Sequence, residues 1–277
     1  MVDFDLGSLS KNLPDDDRYY IGTNGLKRCK VCDCAVEMIL SSRYREDIKV
    51  GCMCKCELEE KENEAIRNKV YQVEINRKHC FGASKLINAR FEHDNVVDAK
   101  CWNYANEYGS YLASGIGLLL HGKVGAGKSY LAACIANELI DQGYLVKYST
   151  LTTMVNEMNA TFEDKADYLY KLNRYDLIII DDFGTERNTE FMNEQAYSVI
   201  NARYESGKPM VITTNLSGEE LNHPPTIDTA RLFDRILEVC HPVEVKGTSR
   251  RRKSARDKYN EIESMLRGDA DAKQRED

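Results

Sequence analysis

The residues with the clearest chemical meaning form one glycine-rich stretch, Gly122-Lys-Val-Gly-Ala-Gly-Lys128-Ser129. It matches the pattern G-x-x-x-x-G-K-[ST], in which glycines let backbone N–H groups turn inward towards phosphate oxygens. Lys128 can reach the β- and γ-phosphates of ATP, and the Ser129 hydroxyl suits Mg²⁺. The predicted nucleotide contacts are Gly122, Val124, Gly125, Ala126, Gly127, Lys128, Ser129 and Tyr130.

The segments that flank this stretch are those that a phosphate-binding loop requires. An apolar run, Ile116 to Leu120, leads into it, and a helical pattern, Tyr130 to Ile140, leads out. The sequence therefore predicts a strand, a glycine loop and a helix whose N-terminus adds partial positive charge. A glycine-rich turn that matches by chance is the alternative, and the flanking strand and helix disfavour it.

A second chemical signal is the acid pair in Leu177-Ile-Ile-Ile-Asp181-Asp182, about sixty residues after the glycine loop. Four apolar residues followed by an acid place a carboxylate at the carboxyl end of a core strand, beside the phosphate loop. We expect Asp181 to join the Mg²⁺ shell and Asp182 to orient and activate the attacking water. The alternative is an acidic strand end that caps the next helix.

Polar residues also end a third strand, Val211-Ile-Thr213-Thr214-Asn215. A short polar side chain at this strand tip, next to the acid pair, can sense the γ-phosphate or hold the water. Asn215 is the predicted residue and Thr214 the second choice. A cap at a strand-to-turn junction is the alternative, since Asn is common in turns.

Two arginines, Arg231 and Arg235, are spaced to lie on one helix face. An arginine presented by a neighbouring subunit can stabilise the charge that develops on the γ-phosphate. A surface salt bridge with Asp228, Asp234 or Glu238 explains the spacing equally well.

Short apolar runs alternate with helical patterns from about residue 89 onwards. This alternation predicts an α/β domain with a parallel sheet covered by helices on both faces. The run Leu177 to Ile180 is typical of a central strand that is buried on both sides. The predicted strands are 117–120, 144–148, 177–180, 210–213 and 242–245, and the helices include 131–141 and 193–204.

Composition limits the classes of protein. The 277 residues suggest about two domains, and a net charge of -7 argues against coating nucleic acid through bulk positive charge. No apolar run approaches the roughly 18 residues that cross a bilayer. The first seventeen residues are polar and acidic, unlike a secretory signal, so we expect a cytoplasmic protein.

Six of the ten cysteines lie in two clusters, Cys29-x-x-Cys32-x-Cys34 and Cys52-x-Cys54-x-Cys56. Two close pairs about twenty residues apart fit a tetrahedral Zn²⁺ site, which stabilises a segment too short for an apolar core. The predicted metal ligands are Cys29, Cys32, Cys54 and Cys56, with Cys34 or Cys52 as substitutes. An iron–sulfur cluster is the alternative metal centre, and free thiols are the alternative without a metal.

The order of glycine loop, Asp-Asp strand, Thr-Thr-Asn strand and paired arginines resembles an AAA+ ATPase. More narrowly, residues 90–252, about 60% of the chain, resemble the DnaC/DnaI-type helicase loaders, and IstB-type transposition ATPases share a close core. The motifs that carry this resemblance are Arg90-Phe-Glu92, Gly117 to Ala132, Asp181-Asp-Phe-Gly-Thr-Glu186, Thr213-Thr-Asn215, Arg231-Leu-Phe-Asp-Arg235 and Gly247-Thr-Ser-Arg250. One departure is Ser129, where many members carry Thr, and either hydroxyl suits Mg²⁺.

The resemblance implies a P-loop NTPase fold of the AAA+/ASCE type, with Arg235 as arginine finger and Arg250 as a sensor-2-like arginine. It implies ATP hydrolysis at the interfaces of head-to-tail rings or spirals. The implied partners are a hexameric replicative DNA helicase, bound through the zinc module, and single-stranded DNA. A transposition helper ATPase and a nucleotide-gated adaptor without useful hydrolysis remain as alternatives.

Composition and resemblance together predict four segments. They are an N-terminal arm with the cysteine-rich zinc module (1–56), a charged helical linker (57–88), the AAA+ ATPase domain (89–265) and a polar tail (266–277). In the linker, Ile66, Val70 and Val73 predict an amphipathic helix, with a solvated charged segment as the alternative. The basic residues of 246–258 form either a phosphate-contacting patch or a solvated helix face.

Overall fold

The computed structural model describes residues 18–42, 45–93, 98–160, 164–184, 189–224, 226–246, 259, 262–263 and 265–266. Arg250 and all but the first residue of the basic segment 246–258 lie outside these residues. The chain folds into two compact units, Met1–Gln72 and Val73–Asp277. In the described part of the chain, every helix is too short or too polar to cross a lipid bilayer.

The first unit is built from two small antiparallel hairpins and the start of a long helix. Strand β1 (Tyr19–Ile21) pairs with β2 (Lys27–Cys29), β3 (Glu37–Ser42) pairs with β4 (Arg45–Gly51), and helix α1 (Lys55–Phe81) follows. The buried cluster of this unit consists of Cys29, Val36 and Cys54. Because so few side chains are buried, apolar packing alone gives this unit little stability.

Helix α1 contains the boundary between the two units. Ile66 and Val70 are 61% and 55% exposed, whereas Val73, Cys80 and Phe81 pack into the core of the second unit. A helix is present in the predicted linker (57–88), and it spans Lys55–Phe81. The apolar side chains of α1 are buried only in its C-terminal turns. The turns around Ile66 and Val70 are exposed to solvent, as the alternative of a solvated charged segment predicts.

The second unit is centred on a five-stranded sheet in the order β6-β7-β8-β5-β9, in which all neighbours are parallel. Its strands are β5 (Gly117–His121), β6 (Val146–Thr150), β7 (Leu177–Phe183), β8 (Met210–Thr214) and β9 (Cys240–Glu244). The described helices are α2 (Ala99–Asn106), α3 (Tyr108–Ser114), α4 (Lys128–Gln142), α5 (Leu151–Ala160), α6 (Lys165–Leu172), α7 (Glu190–Glu205), α8 (Gly218–Asn222) and α9 (Ile227–Val239). Short 3₁₀ turns cover Lys85–Asn88 and Phe91–His93. The predicted parallel α/β sheet is confirmed.

Two apolar layers bury the sheet on both faces. Ile179 belongs to the layer that includes α2 and α4, whereas Ile178 and Ile180 belong to the layer that includes α5, α7 and α9. Side chains alternate along a strand, so a strand covered by helices on both sides must be apolar at every position. This explains the uninterrupted Leu177–Ile180 run, whose strand lies inside the sheet between β6 and β8 and is buried on both faces.

Strand β8 lies between the strand that feeds the glycine loop and the strand that ends in the acid pair. The two motifs are thus one strand apart, an order that the sequence did not predict. The close approach of β5 and β8 requires glycine at position 117, because a Cβ there would lie 1.8 Å from the carbonyl oxygen of Met210. The Thr-Thr-Asn motif at the end of β8 therefore lies between the loop and the acids.

A fully buried Asn137 joins helix α4 to the segments that precede the sheet. Its Nδ2 donates to the carbonyl oxygens of Leu86 (3.1 Å), Ala89 (3.0 Å) and Ala133 (3.0 Å). Its Oδ1 accepts a hydrogen bond from Arg77 Nε at 3.1 Å, at the end of α1. One amide thus satisfies groups from three segments.

We expect Asn137→Ala to lower the free energy of unfolding by about 2–3 kcal/mol, because it leaves several buried polar groups without partners. Urea denaturation followed by circular dichroism measures the change. Asn156→Ala, at an exposed position of α5, is the matched control and should change stability by less than about 0.5 kcal/mol. Equal effects of the two substitutions would contradict the role given to Asn137.

Candidate nucleotide-binding site

The glycine loop connects β5 to α4 with a backbone that only glycine adopts readily. Gly122, Gly125 and Gly127 have φ angles of 139°, 83° and 105°, and Gly127 is the N-cap of α4. A Cβ on Gly122 would also lie 2.7 Å from the carbonyl oxygen of Val245. These glycines therefore permit the tight curl that directs loop amides towards a bound anion.

Lys128 is the first residue of α4 and is only 4% exposed. Its Nζ donates to the carbonyl oxygens of Gly122 (2.9 Å) and Lys123 (3.1 Å) and to Oδ1 of Asn215 (2.7 Å). A buried ammonium needs such acceptors, and phosphate oxygens are stronger ones. The structure thus brings Asn215 to the loop lysine across 87 residues of chain.

Asp181 and Asp182 are joined to β8 through Thr213. The Thr213 hydroxyl donates to Oδ1 of Asp181 at 2.6 Å and accepts the backbone N–H of Asp182 at 2.9 Å. Asp181 is 8% exposed, so its carboxylate is held in a nearly closed environment. Sequence reasoning missed Thr213 and favoured Asn215 and Thr214 on this strand. Strand alternation puts Thr213 and Thr214 on opposite faces, but it does not say which of them faces Asp181; the Thr214 hydroxyl donates instead to the carbonyl oxygen of Phe183.

The backbone at Asp182 is unusual. Its φ angle is 55°, in the left-handed region, and the β7–β8 register shifts between Ile180 and Phe183. In a regular strand Asp181 and Asp182 would point to opposite faces, and a bulge of this kind re-aims a side chain. Strained conformations of non-glycine residues cluster at functional sites, which supports a chemical role for the pair.

Tyr148 on β6 is a further neighbour of the site that sequence reasoning missed. Its hydroxyl donates to the carbonyl oxygen of Ser129 at 3.2 Å, and its ring lies 5.4 Å from that of Phe81. Burial, and then the charge of Asp181, raise the pKa of Tyr148 well above its usual value, so the phenol stays a neutral donor. The place of Tyr148 beside the site follows from the pairing of β6 with β7, which sets Tyr148 opposite Ile179. The sequence alone does not give this pairing.

The other predicted loop contacts have distinct surroundings. The Tyr130 hydroxyl donates to the carbonyl oxygen of Arg90 at 3.0 Å, which ties the start of α4 to the Arg90-Phe-Glu92 motif. Ala126 is buried, Ser129 is half-buried, and Val124 is exposed at the tip of the loop. Ser129 is therefore accessible to a ligand at the helix N-terminus.

Arg235 on α9 lies against α7. Its guanidinium carbon lies 4.5 Å from the ring centroid of Tyr197 and 5.7 Å from that of Tyr204. The predicted sensor-2-like Arg250 lies outside the described residues.

In the first unit, the structure brings together the sulfur atoms of Cys29, Cys32, Cys54 and Cys56, all within 4.8 Å of one another. Tetrahedral zinc with Zn–S bonds of about 2.3 Å places its sulfur ligands about 3.8 Å apart, so the cluster fits this ion. Backbone N–H groups of Cys34 and Cys56 lower the pKa of Cys32 to about 6, whereas the hydrogen bond with Cys32 raises the pKa of Cys56 and burial raises that of Cys54. Cys52 instead directs its thiol to the carbonyl oxygen of Ala35 at 3.4 Å.

The sheet order, the glycine loop after β5 and the acid pair at the end of β7 define a P-loop nucleotide-binding protein of the AAA+ class. The chain belongs to the family described as IstB-like ATP binding protein, whose model matches residues 50–258. The predicted resemblance to DnaC/DnaI-type AAA+ proteins is thereby confirmed.

Individual proteins are also similar to parts of this chain. The replicative helicase loader DnaI of Bacillus subtilis is 27% identical over 192 residues, which cover 63% of this chain and 62% of DnaI. A Sinorhizobium fredii protein named as an insertion sequence ATP-binding protein is 32% identical over 150 residues, 53% of this chain and 50% of that protein. The crystal structure of the DnaC helicase loader has the same fold, with a TM-score of 0.50 and 19% identity over 59% of this chain and 100% of that one. The chain thus spans about half to three fifths of the length of these curated relatives.

We expect Lys128→Ala to weaken ATP binding at least about a hundredfold, because the phosphates lose a buried charge-assisted contact. Titration with a fluorescent ATP analogue measures the affinity. Lys208→Ala is the matched control, since Lys208 lies near Asp176, which precedes β7, and should leave the affinity unchanged. Retained affinity in Lys128→Ala would contradict the phosphate-loop assignment.

For the cysteine cluster we expect about one zinc ion per chain by elemental analysis. Cys54→Ser should weaken zinc binding by more than about a hundredfold, since even outer-sphere partners of a metal contribute ten- to a hundredfold. Cys52→Ser is the control and should keep the metal. A folded chain that binds no zinc, or a metal lost only in Cys52→Ser, would show the ligand set to be wrong.

Proposed function

We propose that this protein is an ATP-dependent loader, which places a hexameric replicative DNA helicase on single-stranded DNA and hydrolyses ATP at interfaces between its own subunits. The observation that supports ATP hydrolysis is that residues at the end of β8 contact both the glycine loop's lysine and the acid pair. Asn215 reaches the loop lysine and Thr213 reaches Asp181, so phosphate-binding and metal-binding groups meet at one sheet edge. Membership of an ATP-binding family and similarity to a helicase loader support the rest.

In this proposal the loop amides and Lys128 bind the phosphates, while Ser129 and Asp181 hold Mg²⁺, which neutralises phosphate charge. Asp182 orients a water molecule towards the γ-phosphorus and accepts one of its protons as the water oxygen bonds to that phosphorus. The bond from the γ-phosphorus to the bridging oxygen breaks, and ADP and inorganic phosphate leave. Asn215, which lies 2.7 Å from Lys128 Nζ, is positioned to respond to the loss of the γ-phosphate.

The site is completed by a second subunit. We assign Arg235 of the neighbour as the finger and Arg250 as a further nucleotide contact, both on the basis of the resemblance. One subunit then offers a site and the next offers a finger, so the contact is head-to-tail and generates rings or open spirals. Turnover is slow in the isolated chain, because the finger arrives only on assembly.

The zinc-bearing first unit is the proposed docking element for the helicase. Met38, Leu40 and Ile48 on the β3–β4 hairpin are large apolar side chains with nearly half their surface exposed, a composition typical of contact surfaces. Single-stranded DNA is assigned to the basic segment 246–258 on its charge alone.

A second candidate function is that of a transposition helper, favoured by the 32% identity to an insertion sequence ATP-binding protein. The family match does not separate the two candidates, since it begins at residue 50 and leaves Cys29 and Cys32 outside. A nucleotide-gated adaptor is the third, non-enzymatic candidate.

The decisive experiment is a pull-down of purified hexameric replicative helicase by the full-length chain, with and without ATP. We expect capture that depends on the first unit, so Cys54→Ser should lose it and Cys52→Ser should keep it. The matched DNA test is loading of the helicase onto a single-stranded circle. Capture of a transposase in place of the helicase would favour the second candidate.

Asp182→Asn separates an enzyme from an adaptor. We expect this variant to keep ATP affinity and to lose at least about a hundredfold in turnover, because the amide cannot accept the proton from water. Phosphate release measures turnover, and helicase loading is scored in parallel. Full loading activity in a variant that no longer hydrolyses ATP would favour the adaptor.

A further inference from the structure

Arg235 is held by an aromatic pair on the neighbouring helix of its own subunit. Tyr197 and Tyr204 lie seven positions apart on α7, which is two helical turns, so both rings face the same side of the helix. The guanidinium of Arg235 lies 4.5 Å from the first ring centroid and 5.7 Å from the second. These distances are those of a cation–π contact.

The second tyrosine is itself fixed. Its hydroxyl donates to Oε1 of Glu238 at 2.9 Å, and Glu238 lies on α9, three positions after Arg235. The hydrogen bond therefore joins the two helices that carry the arginine and its aromatic support. Glu238, one of the acids considered as an ion-pair partner for Arg235, is engaged as the acceptor of this bond.

A ring is a suitable support for an arginine that must later bind phosphate. A carboxylate partner would neutralise the guanidinium and would have to be displaced by the phosphate. A tyrosine ring is uncharged, so it restricts the side chain while the full positive charge remains available. An unsupported arginine samples many rotamers, and binding then has to order all of its torsions.

We propose that Tyr197 is a positioning residue for Arg235. It holds the guanidinium against α7 in the free subunit, so that the neighbouring subunit meets an arginine that is already ordered. This inference rests on the proposed function, in which Arg235 completes the ATP site of the next subunit. Tyr204 and Glu238 support the same arrangement by tying α7 to α9.

The expected effect of Tyr197→Leu is a two- to fivefold loss of assembly-dependent ATP hydrolysis, since a cation–π contact between half-buried groups changes an equilibrium by at least about that factor. The loss should appear in kcat at high protein concentration, with an unchanged KM for ATP, because Tyr197 lies outside the glycine loop. Tyr197→Phe keeps the ring face and should restore the wild-type rate. Tyr170→Leu, at an exposed tyrosine of α6, is the matched control and should have no effect.

A double-mutant cycle tests whether Tyr197 acts through Arg235. In an Arg235→Ala background, Tyr197→Leu should cause no further loss, because the group that it positions is already gone. An equal loss in both backgrounds would overturn the inference, and so would a Tyr197→Leu variant with wild-type turnover. If Tyr197→Leu does not fold, Tyr197→Gln replaces it in the cycle.

The same cycle separates this inference from the proposed function. If Arg235→Ala keeps assembly-dependent turnover, the finger assignment fails, and the positioning role fails with it. If Arg235→Ala lowers turnover and Tyr197→Leu does not, the finger assignment stands and only the positioning role is wrong.

Discussion

The hydrogen bonds of the Lys128 ammonium are the interaction on which the second unit's site depends. A charge buried to this degree is tolerated only when acceptors surround it, and here two loop carbonyls and the Asn215 amide do so. Two of these acceptors belong to the curled loop itself, so the lysine stabilises the conformation that its glycines permit. The third belongs to the segment after β8, which binds the loop to the rest of the sheet edge.

Strand β8 is therefore the structural link between the two halves of the site. It pairs with β5 on one side and with β7 on the other. Thr213 on β8 contacts Asp181 of β7, and Asn215, directly after β8, contacts Lys128 at the start of α4. Thr213 holds the Asp181 carboxylate and the backbone of Asp182, where the strand departs from regular geometry. The phosphate end of a bound nucleotide is thus linked to the acid pair through a few covalent bonds and hydrogen bonds.

The two units use different physical means to become ordered. The second unit buries two continuous apolar layers, one on each face of a parallel sheet. The first unit buries little apolar surface and places four sulfur atoms together instead, a set of donors that fits a tetrahedral metal ion. Apolar side chains of this unit such as Met38 and Leu40 stay nearly half exposed.

The amino-acid sequence by itself determined the glycine loop, the buried strand before Asp181, the strand–helix alternation and the paired cysteines. Each of these is a local pattern, because the residue types that produce the feature lie within a few positions of one another in the chain. Only the tertiary structure decided that β8 separates loop from acids, that Thr213 rather than Thr214 holds Asp181, that Tyr148 contacts Ser129 and that Tyr197 contacts Arg235. These depend on strand order, on a one-residue bulge and on the packing of two helices. Such features arise from contacts between distant segments, and no local spacing encodes them.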